Sequence, residues 1–377
     1  MASMPSLPPF KLERFFARYE FNVRYLLSAS DCESLTLSEL LALAEPDALA
    51  RWERLTLAYT DSQGDPTLRG DIARQYPGLS AAGVLVAVPE ECIYIAMQTL
   101  IEPGEHVIAI HPAYQSLHAV AAARGATVTR WPVLPTPDGR GWRLDVDALA
   151  AAITPRTRLL VINFPHNPTG HLPAREALDA IVGLARRHDL YLFSDEMYRG
   201  LEYDAAQRLP AVCTLYEKGI SLSGLSKTLA APGLRVGWLA TQAPGLIARW
   251  LAYKDYTTIC HSAPSEALAL IALRAQAQIL QRNLDIITGN LALADGFFER
   301  QAGLFGWPPP QAGSIAFPEW RGPGSVDDFC QGALDQAGVL LAPGAIFEAP
   351  GSRFRLGLGR RNFAEGLAQL EEYVARV

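Results

Sequence analysis

The segment SLSGLSKTLAAPGLRVGW sets Lys227 among small and hydroxyl residues, with Arg235 eight positions further on. Lysine is scarce in this chain: Lys11, Lys218, Lys227 and Lys254 are the only four among 33 basic residues. Arginine keeps its proton at working pH, so an amine nucleophile has to come from lysine. A partly desolvated ε-amine can condense with a carbonyl compound to form a Schiff base, and small neighbours let a bulky adduct approach the backbone. A solvated lysine at a strand-to-loop junction explains the segment about as well, since such junctions are rich in Gly and Ser.

Other residues have comparable double readings. In NFPHNPTG, two prolines and a glycine around Asn167 fix a tight turn that presents an amide from a rigid backbone, although an ordinary turn needs no more. Asp195 follows the apolar stretch LYLFS, where a carboxylate inside a core must find a cation or a donor; the plainer role is a helix cap. Tyr198, three residues on, either packs in the core or turns its phenol toward the same cavity. Arg235, across the turn Pro232-Gly233, is a surface charge or a fork suited to phosphate.

The elements that would position these residues follow from hydrophobic patterning. From about residue 80 to residue 240, short apolar runs alternate with stretches of helical period, which predicts βα units around a largely parallel sheet. Four runs read as buried strands: His106 to Ile110, Arg158 to Asn163, Leu190 to Ser194 and Gly219 to Ser223. Each ends in polar or turn-forming residues, HPAYQ, NFPHNPTG, SDEMY and SGLSK, and open α/β sheets bind ligands beyond the carboxyl ends of their strands. The later part of the chain has long helical patterns and one strand, GSIAFPEW. Residues 1–45 and 276–377 are expected to form a smaller α+β domain, and residues 46–275 the large one.

Composition sets the context. At 377 residues with 49% hydrophobic side chains, the chain can bury a large core in about two domains. A net charge of -6 with no run of like charges argues against nucleic acid or an anionic membrane as partner. The five cysteines, Cys32, Cys92, Cys213, Cys260 and Cys330, lack disulfide or zinc-ligand spacing, so no metal is expected and a reducing cytoplasm is. The start, MASMPSLPPFKLERFF, has no export signal pattern, and no stretch approaches a membrane span.

SLSKTLAAPGLRVGW after NPTG and DEMY, together with YTDSQGDPTLRGDIA and FRLGLGR, resembles the class I/II aminotransferases, fold-type I enzymes that use pyridoxal 5'-phosphate. Five ordered motifs at matching separations make that resemblance specific. It implies an aspartate aminotransferase-like α/β fold, with a mostly parallel seven-stranded sheet flanked by helices and a smaller α+β domain. It also implies ping-pong transfer of an amino group from an L-amino acid to a 2-oxo acid through a Lys227 aldimine.

The remaining roles are carried over in the same way. Asp195 would pair with the pyridine nitrogen, and Asn167 and Tyr198 would bond the ring's phenolic oxygen. Tyr114 would stack on one ring face and Met197 on the other. Arg235, Ser226 and the backbone amides of Glu90 and Glu91 would hold the phosphate. Tyr59 would reach over from the partner of a homodimer. Arg355, rather than Arg353, would bind the substrate's α-carboxylate, with Asn167 beside it.

Departures from the family pattern matter equally. The phosphate cup reads VPEEC, residues 88–92, where relatives carry a glycine, and Gly224 stands where they usually carry serine, with Ser223 as a candidate replacement. Thr257 and Thr258 occupy the region where dicarboxylate-specific relatives have an arginine, so aspartate is not the expected donor. AYQSLHAVAAARGA, KDYTTICHSAP and GSIAFPEW resemble a subgroup that dehydrates and cyclises a modified arginine. A lyase, dehydratase or cyclase acting at Cβ or Cγ is therefore the alternative to transamination. Asp31 and Glu33 would then receive a cationic side chain, or else cap a helix starting near Leu35. His111, His118, His166 and His261 receive no role. A ligand sensor fused to a DNA-binding region is disfavoured, because the residues before Leu43 leave no room for one.

Overall fold

The computed structural model describes residues 7–377. Eight strands form the main sheet: β1 (Val84–Ala87), β2 (His106–His111), β3 (Thr127–Pro135), β4 (Trp142–Leu144), β5 (Thr157–Asn163), β6 (Tyr191–Asp195), β7 (Gly219–Gly224) and β8 (Gly237–Thr241). Their order is β1-β8-β7-β6-β5-β2-β3-β4. Strands β3, β2, β5, β6 and β7 pair in parallel, whereas β8 runs antiparallel between β7 and β1. The sheet thus has eight strands rather than seven. The additional one, β4, is a three-residue edge strand that folds back antiparallel onto β3 after the turn at Thr136–Gly141.

The four predicted strands all form, and their apolar side chains are buried because helices cover both sheet faces. Strand order reverses between β5 and β2, where the two neighbours send their connections in opposite directions. That reversal opens a crevice beyond the carboxyl ends of the strands. The register aligns Asn163 with Asp195, and Asp195 with Leu222, so the ends of β5 and β6 lie level and β7 runs on to Gly224 beside them.

A second, three-stranded sheet (Ile315–Ala316, Phe354–Gly357, Ala342–Pro343) is built from the carboxyl-terminal part. The amino-terminal segment threads onto it: the Gly357 N–H donates to the Leu27 carbonyl at 2.8 Å, and Tyr25 bridges Val339. GSIAFPEW is not one strand. Ile315–Ala316 pairs with Phe354–Gly357, and Glu319–Trp320 pairs separately with Phe305–Gly306. Pro318 between them has no N–H to continue a ladder. Among the described residues, no helix is long and apolar enough to cross a membrane.

Candidate active site

A cavity of about 360 Å³ opens where the strand ends converge. Its lining includes Glu90, Tyr114, Asn167, Asp195, Met197, Tyr198, Ser226, Lys227 and Arg235. The loops after β2, β5, β6 and β7 thus bring most of the sequence-selected residues to one place.

Lys227 follows β7 in a short helical turn, and its Nζ donates to Ser30 Oγ at 2.9 Å. Burial pulls its pKa below the ordinary value, while Asp31 pushes back upward. Asp195 ends β6; its Oδ1 accepts the Met197 N–H at 3.1 Å and burial raises its pKa to about 6. Tyr198 is buried and donates to the Ser30 carbonyl at 3.2 Å. The Asn167 N–H donates to Asn163 Oδ1 at 2.8 Å, which fixes the turn after β5.

Arg355, on the small sheet, is fully buried. Its Nε and Nη2 donate to the Ser28 carbonyl at 3.1 and 2.9 Å, and its Nη1 donates to Asn167 Oδ1 at 3.2 Å. A guanidinium has five N–H donors, so one remains on each Nη, the pair that a carboxylate would take. Arg353 points elsewhere: its Nη1 donates to the Phe317 carbonyl and its guanidinium lies 4.7 Å from the centre of the Trp142 ring.

Arg235 is exposed and lines the cavity from a left-handed backbone conformation, φ 57°. His261, to which the sequence assigned nothing, supports that conformation. Its Nδ1 accepts the Ser262 N–H at 2.8 Å, so the ring's proton sits on Nε2, which donates to the Arg235 carbonyl at 2.9 Å.

Several expected residues are not brought in. Tyr59, expected to serve a partner's site, is 90% exposed and is not part of its own chain's cavity lining. Glu91 turns its carboxylate away, accepting from the hydroxyls of both Thr257 and Thr258 over a neighbouring apolar groove. Ser223 faces a separate crevice with Tyr76 and Trp238, so it does not replace the missing serine hydroxyl. Gly224 is required for packing: a Cβ there would lie 2.9 Å from the Val236 carbonyl oxygen. Asp31 caps no helix. Thr36 and Glu39 form the capping box of Leu37–Ala42, and Asp31 receives Arg360 Nη2 at 3.2 Å on both carboxylate oxygens. Glu33 accepts the Arg361 N–H and lies outside the cavity lining.

Residues 26–368 match the family model "Aminotransferase class I and II". The chain belongs to that family, and its cofactor is pyridoxal phosphate. It is 31% identical to capreomycidine synthase of Streptomyces vinaceus over 376 residues, 98% of this chain and 95% of the relative. A PLP-dependent aminotransferase from Streptococcus suis superposes with a TM-score of 0.91 at 31% identity, covering 99% of each chain. The PLP-dependent cyclase OrfR superposes with a TM-score of 0.90 at 28% identity, covering 100% of each.

The residues present fit the cofactor. Asp195 and Ser226 are buried residues that line the cavity, and Asp195 Oδ2 and the Ser226 hydroxyl make no hydrogen bond among the described residues, which suits a ring nitrogen and a phosphate oxygen. The helix Pro89–Leu100 adds N–H groups at its first turn, which no intrahelical carbonyl can satisfy.

Proposed function

We propose that this enzyme transfers the amino group of an L-amino acid, other than a dicarboxylate, to a 2-oxo acid in a ping-pong cycle. The observation that carries the reading is the placement of the Lys227 amine, the Asp195 carboxylate and Asn167 around one cavity, with Arg355 hydrogen-bonded to Asn167 behind its lining. Bound pyridoxal phosphate supplies an electron sink for the bond broken at Cα. Arg355 takes the substrate carboxylate on its two free donors. Lys227, steered by Ser30, carries the proton removed from Cα, and Asp195 keeps a proton on the ring nitrogen. Tyr198 and Asn167 orient the ring oxygen, while Ser226, Arg235 and the amides of Glu90 and Glu91 hold the phosphate.

Tyr59 is exposed, as are the apolar side chains of Leu57, Tyr256 and Ile259, which supports a homodimer in which Tyr59 reaches the neighbouring site. Light scattering should give twice the chain mass.

A second reading, elimination or cyclisation at Cβ or Cγ, is supported by the whole-chain likeness to capreomycidine synthase and OrfR. The two readings separate by product. With a panel of amino acids and a 2-oxo acid acceptor, transamination yields a new oxo acid and a new amino acid. Ammonia or a ring product with no acceptor consumed would overturn it.

Glu90 gives this phosphate cup a pH dependence. Burial raises its pKa to about 7, with Ser116 Oγ donating to its Oε2 at 3.2 Å. As pH rises through that value the carboxyl becomes an anion beside the phosphate, so cofactor affinity should fall between pH 6 and 8. Glu90→Gln should flatten this dependence and tighten binding at pH 8 by roughly 10-fold, as read by cofactor titration. A wild-type affinity flat across that range would remove Glu90 from the cup.

A further inference from the structure

Of the four lysines, Lys11 and Lys218 form ion pairs with Glu348 and Asp189, and Lys227 lies in the cavity. Lys254 does neither. It ends the helix Leu246–Lys254, is fully buried, and has no part in the chemistry assigned above. Among the described residues its Nζ makes one hydrogen bond, to the Ser62 carbonyl at 2.6 Å. Burial lowers its pKa, while the Glu91 carboxylate acts against that shift. Burying an ammonium is unfavourable; a neutral side chain of the same length would fill the space without that penalty but would leave the carbonyl unmet.

That carbonyl belongs to the loop that carries Tyr59, and the loop is pinned at successive residues. The Thr60 hydroxyl donates to the His261 carbonyl at 3.0 Å, and Lys254 holds Ser62. The Gln63 carbonyl accepts the Val86 N–H at 2.9 Å, and Gln63 Nε2 donates to the Val84 carbonyl at 2.7 Å. Gly64, at φ 113°, packs so closely that a Cβ would lie 2.5 Å from Val86 Cγ2. The side chains just before this stretch behave oppositely: Leu57 is 85% exposed and Tyr59 90%. An exposed aromatic on a fixed backbone is organised for another surface in advance, so little order has to be imposed when that surface arrives.

The anchors Lys254 and His261 come from one segment, which also serves its own chain's cup. His261 Nε2 donates to the Arg235 carbonyl, and the Thr257 and Thr258 hydroxyls hold Glu91. A role for Lys254 in its own site and a role in the neighbouring site therefore give opposite results in a mixed dimer.

We propose that Lys254 is a positioning residue acting across the dimer: together with the Thr60–His261 bond, it fixes the loop that presents Tyr59 to the cofactor of the partner subunit. The proposal rests on the homodimer reading above.

The test uses mixed dimers of full-length chains, co-expressed with two affinity tags, in which one chain carries Lys227→Ala. Borohydride fixes cofactor at Lys227 only on the other chain, and peptide mass spectrometry reads the fraction fixed against cofactor concentration. With Lys254→Met on the Lys227→Ala chain, the intact site faces the altered loop, and half-saturation should need roughly 10-fold more cofactor. With Lys254→Met on the other chain, half-saturation should match the dimer carrying Lys227→Ala alone. Tyr59→Phe on the Lys227→Ala chain should cause the same loss as Lys254→Met, and combining the two there should weaken binding no further, a non-additivity that general destabilisation does not produce. If Lys254→Met does not fold, Thr60→Val, at a half-buried position, removes the other tie and is read in the same two arrangements. Weakening in the chain's own site, in both sites or in neither would overturn the proposal while leaving the dimer intact. A protein that scatters light as a monomer would overturn both.

Discussion

Lys227→Ala is expected to lower turnover by roughly 10⁴-fold or more, the scale set by removing a group that serves as both nucleophile and proton carrier. Protein purified with its cofactor should lose the visible absorption of the wild type. The amine is placed for both tasks: Nζ sits 2.9 Å from Ser30 Oγ inside the cavity, and burial lowers its pKa from the ordinary 10.5. Only the neutral amine attacks a carbonyl or accepts a proton, so the lowered value enlarges the reactive fraction at working pH. The sign carries over to stability. A lysine with a depressed folded pKa destabilises the fold at every pH below that value, and the cost disappears as pH rises through 10.5. Lys227→Met, which fills the same space without charge, should therefore melt no lower than wild type at pH 7 when both are stripped of cofactor. Absorption spectra and thermal unfolding check the two halves, and an unchanged visible band in the alanine variant would sink the assignment.

The residues at strand ends were legible in the sequence because the strands themselves were. Apolar runs buried on both faces stop abruptly at polar motifs, and the parallel sheet brings those stops to one edge. Asn167, Asp195, Tyr198 and Lys227 could be picked out for that reason. Glu13 and Glu20, which also line the cavity, were not legible as such. They lie in and just beyond the amphipathic helix Lys11–Tyr19, where a carboxylate reads as an ordinary solvated face. Only the docking of that helix against a loop some hundred residues later, seen in the Tyr114–Glu13 bond, turns it toward the cavity. Asp31 was singled out, but Glu33, two residues on, points to the Arg361 backbone instead. His261 carried no local signal, because its partner is a main-chain carbonyl 26 residues away in sequence. Glu91 was chosen for its backbone amide at the helix start, and the hydroxyls of Thr257 and Thr258, which hold its carboxylate outward, could not be read from the cup motif. Spacing along the chain records periodicity and turns well, whereas contacts between distant segments depend on packing that no short motif encodes.

Asp195→Asn should act in opposite directions on the empty and the loaded protein. Without cofactor, the carboxylate is buried with one backbone donor and a partly compensating Lys227, and its pKa rises from 3.8 to about 6. An acid shifted upward destabilises the fold increasingly as pH climbs from the unfolded value through the folded one, and fully above it. Two units correspond to a cost on the order of 3 kcal/mol. The neutral amide escapes that cost, so cofactor-free Asp195→Asn should melt higher than wild type at pH 8, with the difference vanishing near pH 3.5. With cofactor bound the order reverses. An amide cannot hold a proton on the ring nitrogen by charge, the electron sink weakens, and turnover should fall by roughly 100-fold to 1,000-fold. Thermal scans of stripped protein at the two pH values and single-turnover rates of the holoenzyme read the two effects independently. A variant slower when loaded but no more stable when empty would assign Asp195 to the cofactor while refuting its buried cost. Near-normal rates would remove it from the chemistry altogether.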